Sequence, residues 1–133
     1  MQRLNVSVSR RLLDAILASG EEASVSTKQL AQTVSELSRI FTKERDRLSL
    51  SYLDSSHVGA AYLQYFLPVN LAKIQRLLNE MPTPELDESF SVLDLGSGPG
   101  TGALGVLDWW QQQALQSPLS VTAVDGSKAA LRQ

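Results

Sequence analysis

The chain has 133 residues, of which 43% are hydrophobic, and its formal net charge is −2. That length suffices for one domain, or for a small domain together with part of another. The absence of cysteine excludes disulfides and thiolate metal sites and agrees with a reducing compartment. The apolar stretches are interrupted too often for a transmembrane helix, and Met1 to Asn5 lack the apolar core of a signal peptide.

Two amphipathic helices are predicted first. Residues 10–19 follow Ser9 and precede Gly20, which supplies a stop signal, and Leu12, Leu13, Ile16 and Leu17 share one helical face. The sequence Ser26-Thr27-Lys28-Gln29 has the form of a capping box. It predicts a second helix that reaches about Arg47, with Leu30, Val34, Leu37 and Phe41 on its apolar face.

The next segment predicts a connector and a kinked helix. Alternating apolar residues over 48–53 favour an extended connector or short strand, and Asp54-Ser55-Ser56 can cap a helix. Because Pro68 lacks an N–H, that helix should kink or restart at Leu67 before it continues to about Asn79. The polar residues and two prolines of 81–88 predict a link to the next segment. The lone His57 offers no metal site or histidine triad and predicts a capping or exposed role.

Charge is unevenly distributed. Residues 1–80 hold ten Lys/Arg against eight Asp/Glu, a balance of +2, whereas residues 81–133 hold two against six, a balance of −4. Arg39, Lys43, Arg45 and Arg47 permit nucleic-acid contact. Because Glu44 and Asp46 are interleaved among them, a solvated helix end is the favoured interpretation.

A glycine-rich segment follows the link and is the strongest functional signal. Ser91 to Leu95 predict a buried parallel strand that leads into Gly96-Ser97-Gly98-Pro99-Gly100-Thr101 and then a helix. Glycines in such a turn allow a ligand to lie against the backbone. Ala103, Leu107, Trp110 and Ala114 mark the expected buried face of the helix, and Trp109 is expected to pack against the N-terminal helices rather than to contact a ligand or partner.

The spacing of these glycines bears on the ligand. A dinucleotide motif, G-x-G-x-x-G, would need glycine where Thr101 stands. Asp94, two residues before the first glycine, would oppose a pyrophosphate but could accept hydrogen bonds from an ammonium or hydroxyl group. A second strand, 120–125, ends in Asp125 before Gly126 and Ser127, where an acidic residue would hold ribose hydroxyls. The structural alternatives are a tight turn without a ligand and a helix cap made by Asp125 or, better, Ser127.

The pattern V-L-D-x-G-x-G-x-G resembles motif I of class I S-adenosylmethionine-dependent methyltransferases. Together with the Y-L-x-Y-x-x-P pattern of Tyr62 to Pro68, it resembles the methyltransferase-like family associated with the small ribosomal subunit of bacteria and mitochondria. The resemblance covers roughly residues 55–125. It implies a class I fold preceded by helices, S-adenosylmethionine as cofactor, ribosomal RNA or the small subunit as partner, and a bacterial cytoplasmic or mitochondrial matrix location.

These observations together predict an α/β protein with a helical region, 1–85, and the start of a Rossmann-like cofactor domain, 86–133. The predicted cofactor contacts are Asp94, Gly96, Ser97, Gly98, Pro99, Gly100, Thr101, Asp125 and Gly126. Asp94 would reach the cofactor amino group through water or Thr101, and Asp125 would hold the ribose hydroxyls. No catalytic residue or metal ligand is assigned, since acceptor-positioning residues of such folds usually follow the fourth strand.

Two alternatives and one structural expectation remain. A non-catalytic ribosome-assembly factor could keep the same cofactor pocket, and a nicotinamide-dependent oxidoreductase is disfavoured by Thr101 and Asp94. Only two strands are predicted after the link, whereas sheets usually have about four to six. We therefore expect further sequence or a second chain to complete the sheet, or part of the β-α-β region to be disordered or rearranged against the N-terminal helices. We expect no methylation by these 133 residues alone.

Overall fold

The computed structural model describes residues 7–21, 24–47, 49, 52–82, 89–113 and 117–132. The helices and strands within these ranges are α1 (Arg10–Glu21), α2 (Thr27–Lys43), α3 (Ser56–Ala61), a π-helical turn (Tyr62–Phe66), α4 (Leu67–Glu80), β1 (Phe90–Leu95), α5 (Thr101–Gln112) and β2 (Leu119–Val124). Short 3₁₀ turns cover Arg45–Arg47, Tyr52–Asp54 and Ala130–Arg132. The order is helices followed by a parallel β-α-β unit, which is compatible with the expected α/β class.

The first two helices follow the prediction closely, with corrections at their ends. The capping box is confirmed, because the Gln29 amide donates to Ser26 Oγ at 3.3 Å and the Ser26 amide donates to Gln29 Oε1 at 3.4 Å. Helix α2 ends at Lys43 instead of Arg47, and a 3₁₀ turn follows. Helix α1 continues through Gly20, so the predicted stop there is wrong. Gly20 instead permits close packing, since a Cβ at this position would lie 2.6 Å from Gln64 Cγ.

The change of helix geometry expected near Pro68 is confirmed as a π-helical turn. The Leu67 amide donates to the Tyr62 carbonyl, five residues earlier, and Pro68 then lies in the first turn of α4. The wider turn gives room to the proline ring, which would otherwise clash with the carbonyl four residues before it. The extended connector is wrong at Tyr52 and Leu53, which form a 3₁₀ turn, while residues 48, 50 and 51 lie outside the described ranges.

Strands β1 and β2 pair in parallel, with Phe90 opposite Leu119 and Leu95 opposite Val124. Each strand starts one residue before its predicted position, and Asp125 follows β2 rather than ending it. Helix α5 covers one face of this sheet, where Trp110 stacks on Phe90 at a ring-centre distance of 5.5 Å. The expected burial of β1 is wrong, because the side chains of Leu93 and Leu95 are exposed and α5 is the helix that covers this sheet within the described residues.

The predicted buried face of α5 needs correction. Leu107 is exposed and Ala103 half-buried, whereas Gly105, Val106 and Trp109 are buried with Trp110. Ala114 lies outside the described residues. The difference arises because α5 packs on α4 as well as on the sheet. A Cβ at Gly105 would lie only 3.0 Å from Ile74 Cγ2.

The indole of Trp109 confirms the expected packing against the N-terminal helices. Its Nε1–H donates to Asn79 Oδ1 at 2.8 Å, and the ring is buried. The main hydrophobic core contains Ile16, Leu63, Leu67 and Leu71, with Leu104 of α5 packed against it. The helical region and the β-α-β unit therefore share apolar contacts.

A buried carboxylate joins three helices. Oδ2 of Asp108 on α5 accepts hydrogen bonds from the Ser9 amide at 3.0 Å, from Gln75 Nε2 at 2.5 Å and from Gln112 Nε2 at 2.9 Å. Burial by itself raises the pKa of Asp108, but the hydrogen bonds from Ser9, Gln75 and Gln112 outweigh it and hold the pKa below its ordinary value. This carboxylate fixes α5, and with it the turn that precedes α5, against the helical region.

Candidate cofactor site

The glycine turn, defined as Gly96 to Gly100, connects the carboxyl end of β1 to the start of α5. Gly96, Gly98 and Gly100 have φ values of +69°, +55° and +89°, which side chains disfavour. The Gly96 and Ser97 amides donate to the Val124 carbonyl at 2.8 and 3.0 Å. The turn is therefore fixed to the end of β2, at the sheet edge where open α/β folds bind ligands.

Asp94 links β1 to the first turn of α5. Its Oδ2 accepts a hydrogen bond from the Ala103 amide at 2.9 Å. A carboxylate at a helix N-terminus is also favoured by the helix dipole. Gly102 makes this approach possible, since a Cβ there would lie 2.5 Å from the same oxygen. The contact of Asp94 with a ligand amino group remains a prediction, and Gly102 is a site-forming residue that the sequence analysis missed.

The structure brings Asp125 to the glycine turn. The Gly98 amide donates to Asp125 Oδ2 at 2.8 Å, and the Ser127 amide donates to Asp125 Oδ1 at 2.7 Å. An ionised carboxylate offers about four acceptor positions, so these two bonds leave about two for other donors. Ser127 acts as the expected cap, because its Oγ accepts from the Ala130 amide at 3.1 Å. Gly126 between them is exposed.

Two hydroxyls, one in the glycine turn and one at the first residue of α5, lack hydrogen-bond partners among the described residues. Ser97 and Thr101 are 4% and 6% exposed, and neither Ser97 Oγ nor Thr101 Oγ1 has a partner. Most buried polar side-chain atoms are hydrogen-bonded, so each buried atom without a partner needs an explanation. Pro99 faces the helical region instead, where it borders a cavity of about 180 Å³ with Leu63, Leu67 and Leu104. The two hydroxyls are therefore the strongest pointers to a ligand at this turn.

The Tyr52–Asp54 turn contributes contacts that the sequence analysis missed. Leu53 is buried, and a Cβ at Gly98 would lie 3.8 Å from Leu53 Cδ1. Asp54 Oδ1 accepts a hydrogen bond from Ser127 Oγ at 2.9 Å. Burial, followed by the neighbouring Tyr62 and Asp125, raises the pKa of Tyr52 to about 12. No local pattern could reveal these contacts, because Asp54 and Ser127 are 73 residues apart.

The basic group at the end of α2 is partly paired. Glu44 forms an ion pair with Arg39 and another, at 2.6 Å, with Arg47. The hydrogen bond from Arg47 is the main cause that lowers the pKa of Glu44. His57 is exposed and contacts Ser55 Oγ at 2.8 Å. Within the described ranges, no cluster of three or more His, Cys, Asp or Glu side chains could hold a metal ion.

Compared with known proteins, the chain matches no family model, no curated protein and no solved structure. In the part of the chain that the structure describes, no helix has both the length and the apolar character needed to cross a bilayer.

Proposed function

We propose that the glycine turn binds S-adenosylmethionine and that this β-α-β unit is the start of a class I methyltransferase fold. One observation carries the proposal: a turn with three left-handed glycines holds two buried hydroxyls, Ser97 Oγ and Thr101 Oγ1, that have no partner. A turn that served only to connect β1 with α5 would have no need to bury unpaired hydroxyls. Both oxygens are shielded from solvent, so we propose that the turn opens to let polar groups of a ligand reach them.

The chemistry of the turn fits a cofactor with a ribose and an amino group. Asp125 retains about two acceptor positions, which suits a pair of ribose hydroxyls. At Gly96, a Cβ would meet no atom within 4 Å, so the backbone is open to a ligand on that side. S-adenosylmethionine would supply a methyl group on a sulfonium, and the chain's own residues would orient it toward an acceptor.

A dinucleotide fits this turn less well. Dinucleotide folds place the pyrophosphate at the helix N-terminus, where free amides receive it. Here the Asp94 carboxylate already accepts a hydrogen bond from the Ala103 amide in the first turn of α5. A second negative group at this position would be repelled by Asp94 and by Asp125. These charges support S-adenosylmethionine over a nicotinamide cofactor.

For the methyl acceptor we propose ribosomal RNA of the small subunit. The support is the resemblance of Tyr62 to Pro68 and of the glycine turn to the ribosome-associated family, together with the +2 balance of residues 1–80. Glu44 neutralises part of the basic group at the end of α2 through Arg39 and Arg47. Lys43 and Arg45 keep their charge available to phosphates.

Two measurements test the proposal in order. Calorimetry should show binding of S-adenosylmethionine or its demethylated product, S-adenosylhomocysteine, and no binding of NADH at the same concentration. Preferential binding of NADH would overturn the cofactor assignment. Transfer of a labelled methyl group to small ribosomal subunits, measured with the sheet completed by further sequence or a second chain, would then identify an enzyme. Cofactor binding without transfer by that completed protein would favour a ribosome-assembly factor that keeps the pocket.

A further inference from the structure

The Tyr52–Asp54 turn lies against the glycine turn, although it belongs to the helical region. Leu53 is 2% exposed and approaches Gly98, and Asp54 reaches the segment that follows β2. A segment from outside the β-α-β unit therefore contacts both the glycine turn and the residues after β2. The helical region therefore helps to determine the conformation of the proposed site through these contacts.

A continuous series of hydrogen bonds runs from Asp54 to the glycine turn. Asp54 Oδ1 accepts from Ser127 Oγ at 2.9 Å, and the Ser127 amide donates to Asp125 Oδ1 at 2.7 Å. Asp125 Oδ2 in turn accepts from the Gly98 amide at 2.8 Å. Ser127 is 3% exposed, so its hydroxyl proton is shielded from water and depends on the Asp54 acceptor.

The orientation of Asp125 affects both the conformation of the glycine turn and the proposed contact with the ligand. Its bond with the Gly98 amide holds the left-handed conformation of the turn, and its remaining acceptor positions are those assigned to the ribose hydroxyls. Ser127 sets this orientation through its amide, while its hydroxyl accepts from the Ala130 amide and donates to Asp54. The Ser127 amide and hydroxyl therefore connect Asp125, Asp54 and Ala130.

We propose that Asp54 is a positioning residue of the cofactor site, which acts on the glycine turn through Ser127 and Asp125. The inference rests on the proposed function for the identity of the ligand, but the positioning of Gly98 can be measured without any ligand. Asp54 is not a catalytic residue in this account, since its carboxylate acts through Ser127. The N-terminal helical region is therefore part of the binding machinery.

The first test is amide hydrogen exchange in the ligand-free chain, with Asp54→Ala compared with the unchanged protein. Loss of the acceptor should raise exchange of the Gly98 and Ser127 amides by about tenfold, which corresponds to about 1.4 kcal/mol of local opening. The amide of Leu71, in the buried part of α4, serves as the internal reference for global unfolding. Unchanged exchange at Gly98 would overturn the proposal.

Matched variants separate the hydrogen bond from the charge. Asp54→Asn keeps a side-chain oxygen that can accept from Ser127 Oγ and should restore protection of Gly98. Asp46→Ala removes an exposed aspartate from a different 3₁₀ turn, Arg45–Arg47, and should behave as the unchanged protein. Should Asp54→Ala fail to fold, Ser127→Ala removes the same contact from its other end and must expose the Gly98 amide while the Leu71 amide stays protected.

Calorimetry with S-adenosylhomocysteine separates this inference from the proposed function. We expect the unchanged protein to bind and Asp54→Ala to bind about tenfold more weakly. Equal affinity of the two proteins would refute the positioning role while leaving the proposed function intact. Failure of the unchanged protein to bind would refute the proposed function, and the exchange of the Gly98 amide would still decide whether Asp54 positions the turn.

Discussion

The carboxylate of Asp94 occupies the space that a side chain at position 102 would need. A Cβ on Gly102 would lie 2.5 Å from Asp94 Oδ2, the oxygen that accepts the Ala103 amide at 2.9 Å. The end of β1 and the start of α5 are thereby joined across the glycine turn. Gly102 has no left-handed backbone and serves this approach, unlike the three glycines before it.

This relationship predicts a reversal of the usual effect of alanine in a helix. Gly102→Ala should displace Asp94 and lower the free energy of unfolding by about 1–3 kcal/mol, because the Ala103 amide loses its acceptor. In an Asp94→Ala background the clash is absent, so the same change should stabilise the protein by up to about 1 kcal/mol, the ordinary difference between alanine and glycine.

Denaturant unfolding of the four proteins in this cycle measures the coupling between the two positions. Additive effects of Gly102→Ala and Asp94→Ala would show that Asp94 does not contact the start of α5 in solution.

Removal of the unpaired hydroxyl of Thr101 should have opposite effects on stability and binding. Thr101→Val keeps the shape of the side chain and removes a buried polar atom without a partner. We expect the ligand-free protein to keep or gain up to about 1 kcal/mol of stability, while affinity for S-adenosylhomocysteine falls. Thermal unfolding and calorimetry measure the two effects.

Thr42→Val is the matched control for Thr101, because Thr42 Oγ1 donates to the Ser38 carbonyl at 2.7 Å on exposed α2. It should leave cofactor affinity unchanged. A loss of stability in Thr101→Val with unchanged affinity would mean that this hydroxyl has a structural partner instead.

Gly98→Val should abolish cofactor binding while the helical region stays folded. The φ of +55° disfavours any side chain, by about 1–2 kcal/mol in a left-handed conformation. The branched side chain of valine would also press on buried Leu53, whose Cδ1 lies 3.8 Å from the Cβ position, so the turn should lose its shape. Gly98→Ala should give an intermediate loss, and Asp125→Ala should weaken binding by about 1–3 kcal/mol. Calorimetry measures affinity, and circular dichroism follows the helices; equal affinity of all the proteins would place the ligand elsewhere.

Asp108 should contribute stability that depends on pH. Its folded pKa lies below the ordinary value of 3.8, so the folded state binds fewer protons than the unfolded state around that pH. The contribution is therefore fully present above the ordinary aspartate range and is lost as pH falls through the lowered folded pKa. Asp108→Asn should lower stability at neutral pH and reduce this loss of stability on acidification.

Asp108→Ala should cost more, about 1.5–3 kcal/mol at neutral pH, because the buried side chain of Gln75 loses its acceptor. Asp14→Asn is the control, since Asp14 is exposed and pairs only with exposed Arg10 in the described contacts. Urea unfolding at pH 7 and pH 3 gives the comparison, and identical acid dependence of Asp108→Asn and the unchanged protein would contradict the prediction.

Local signals predicted local structure well. The capping box at Ser26, the change of helix geometry at Pro68 and the positions of the two strands could be predicted, because each depends on residues close together in the chain. The buried side of α5 could not be predicted in this way, because it depends on which helix packs against α5. Helix α4 packs there and approaches at Gly105. The predicted helix stop at Gly20 is wrong for a similar reason. The glycine is required by the close approach of Gln64 and not by a helix end.

The candidate site shows the same division. The glycine turn and the position of Asp125 follow from strand and turn patterns, whereas the use of both Asp125 oxygens by backbone amides does not. The contact between Asp54 and Ser127 joins segments 73 residues apart and required the folded chain. Sequence patterns therefore located the site but not the residues that support it from the helical region.

Cofactor binding at the glycine turn can be observed residue by residue when isotopically labelled protein is titrated with S-adenosylhomocysteine and the amide resonances are followed. We expect saturable shifts centred on the amides of Gly96 to Thr101 and of Asp125 and Gly126, with smaller shifts along α1 and α2. An absence of shifts at saturating ligand, or shifts centred on another surface, would contradict this expectation.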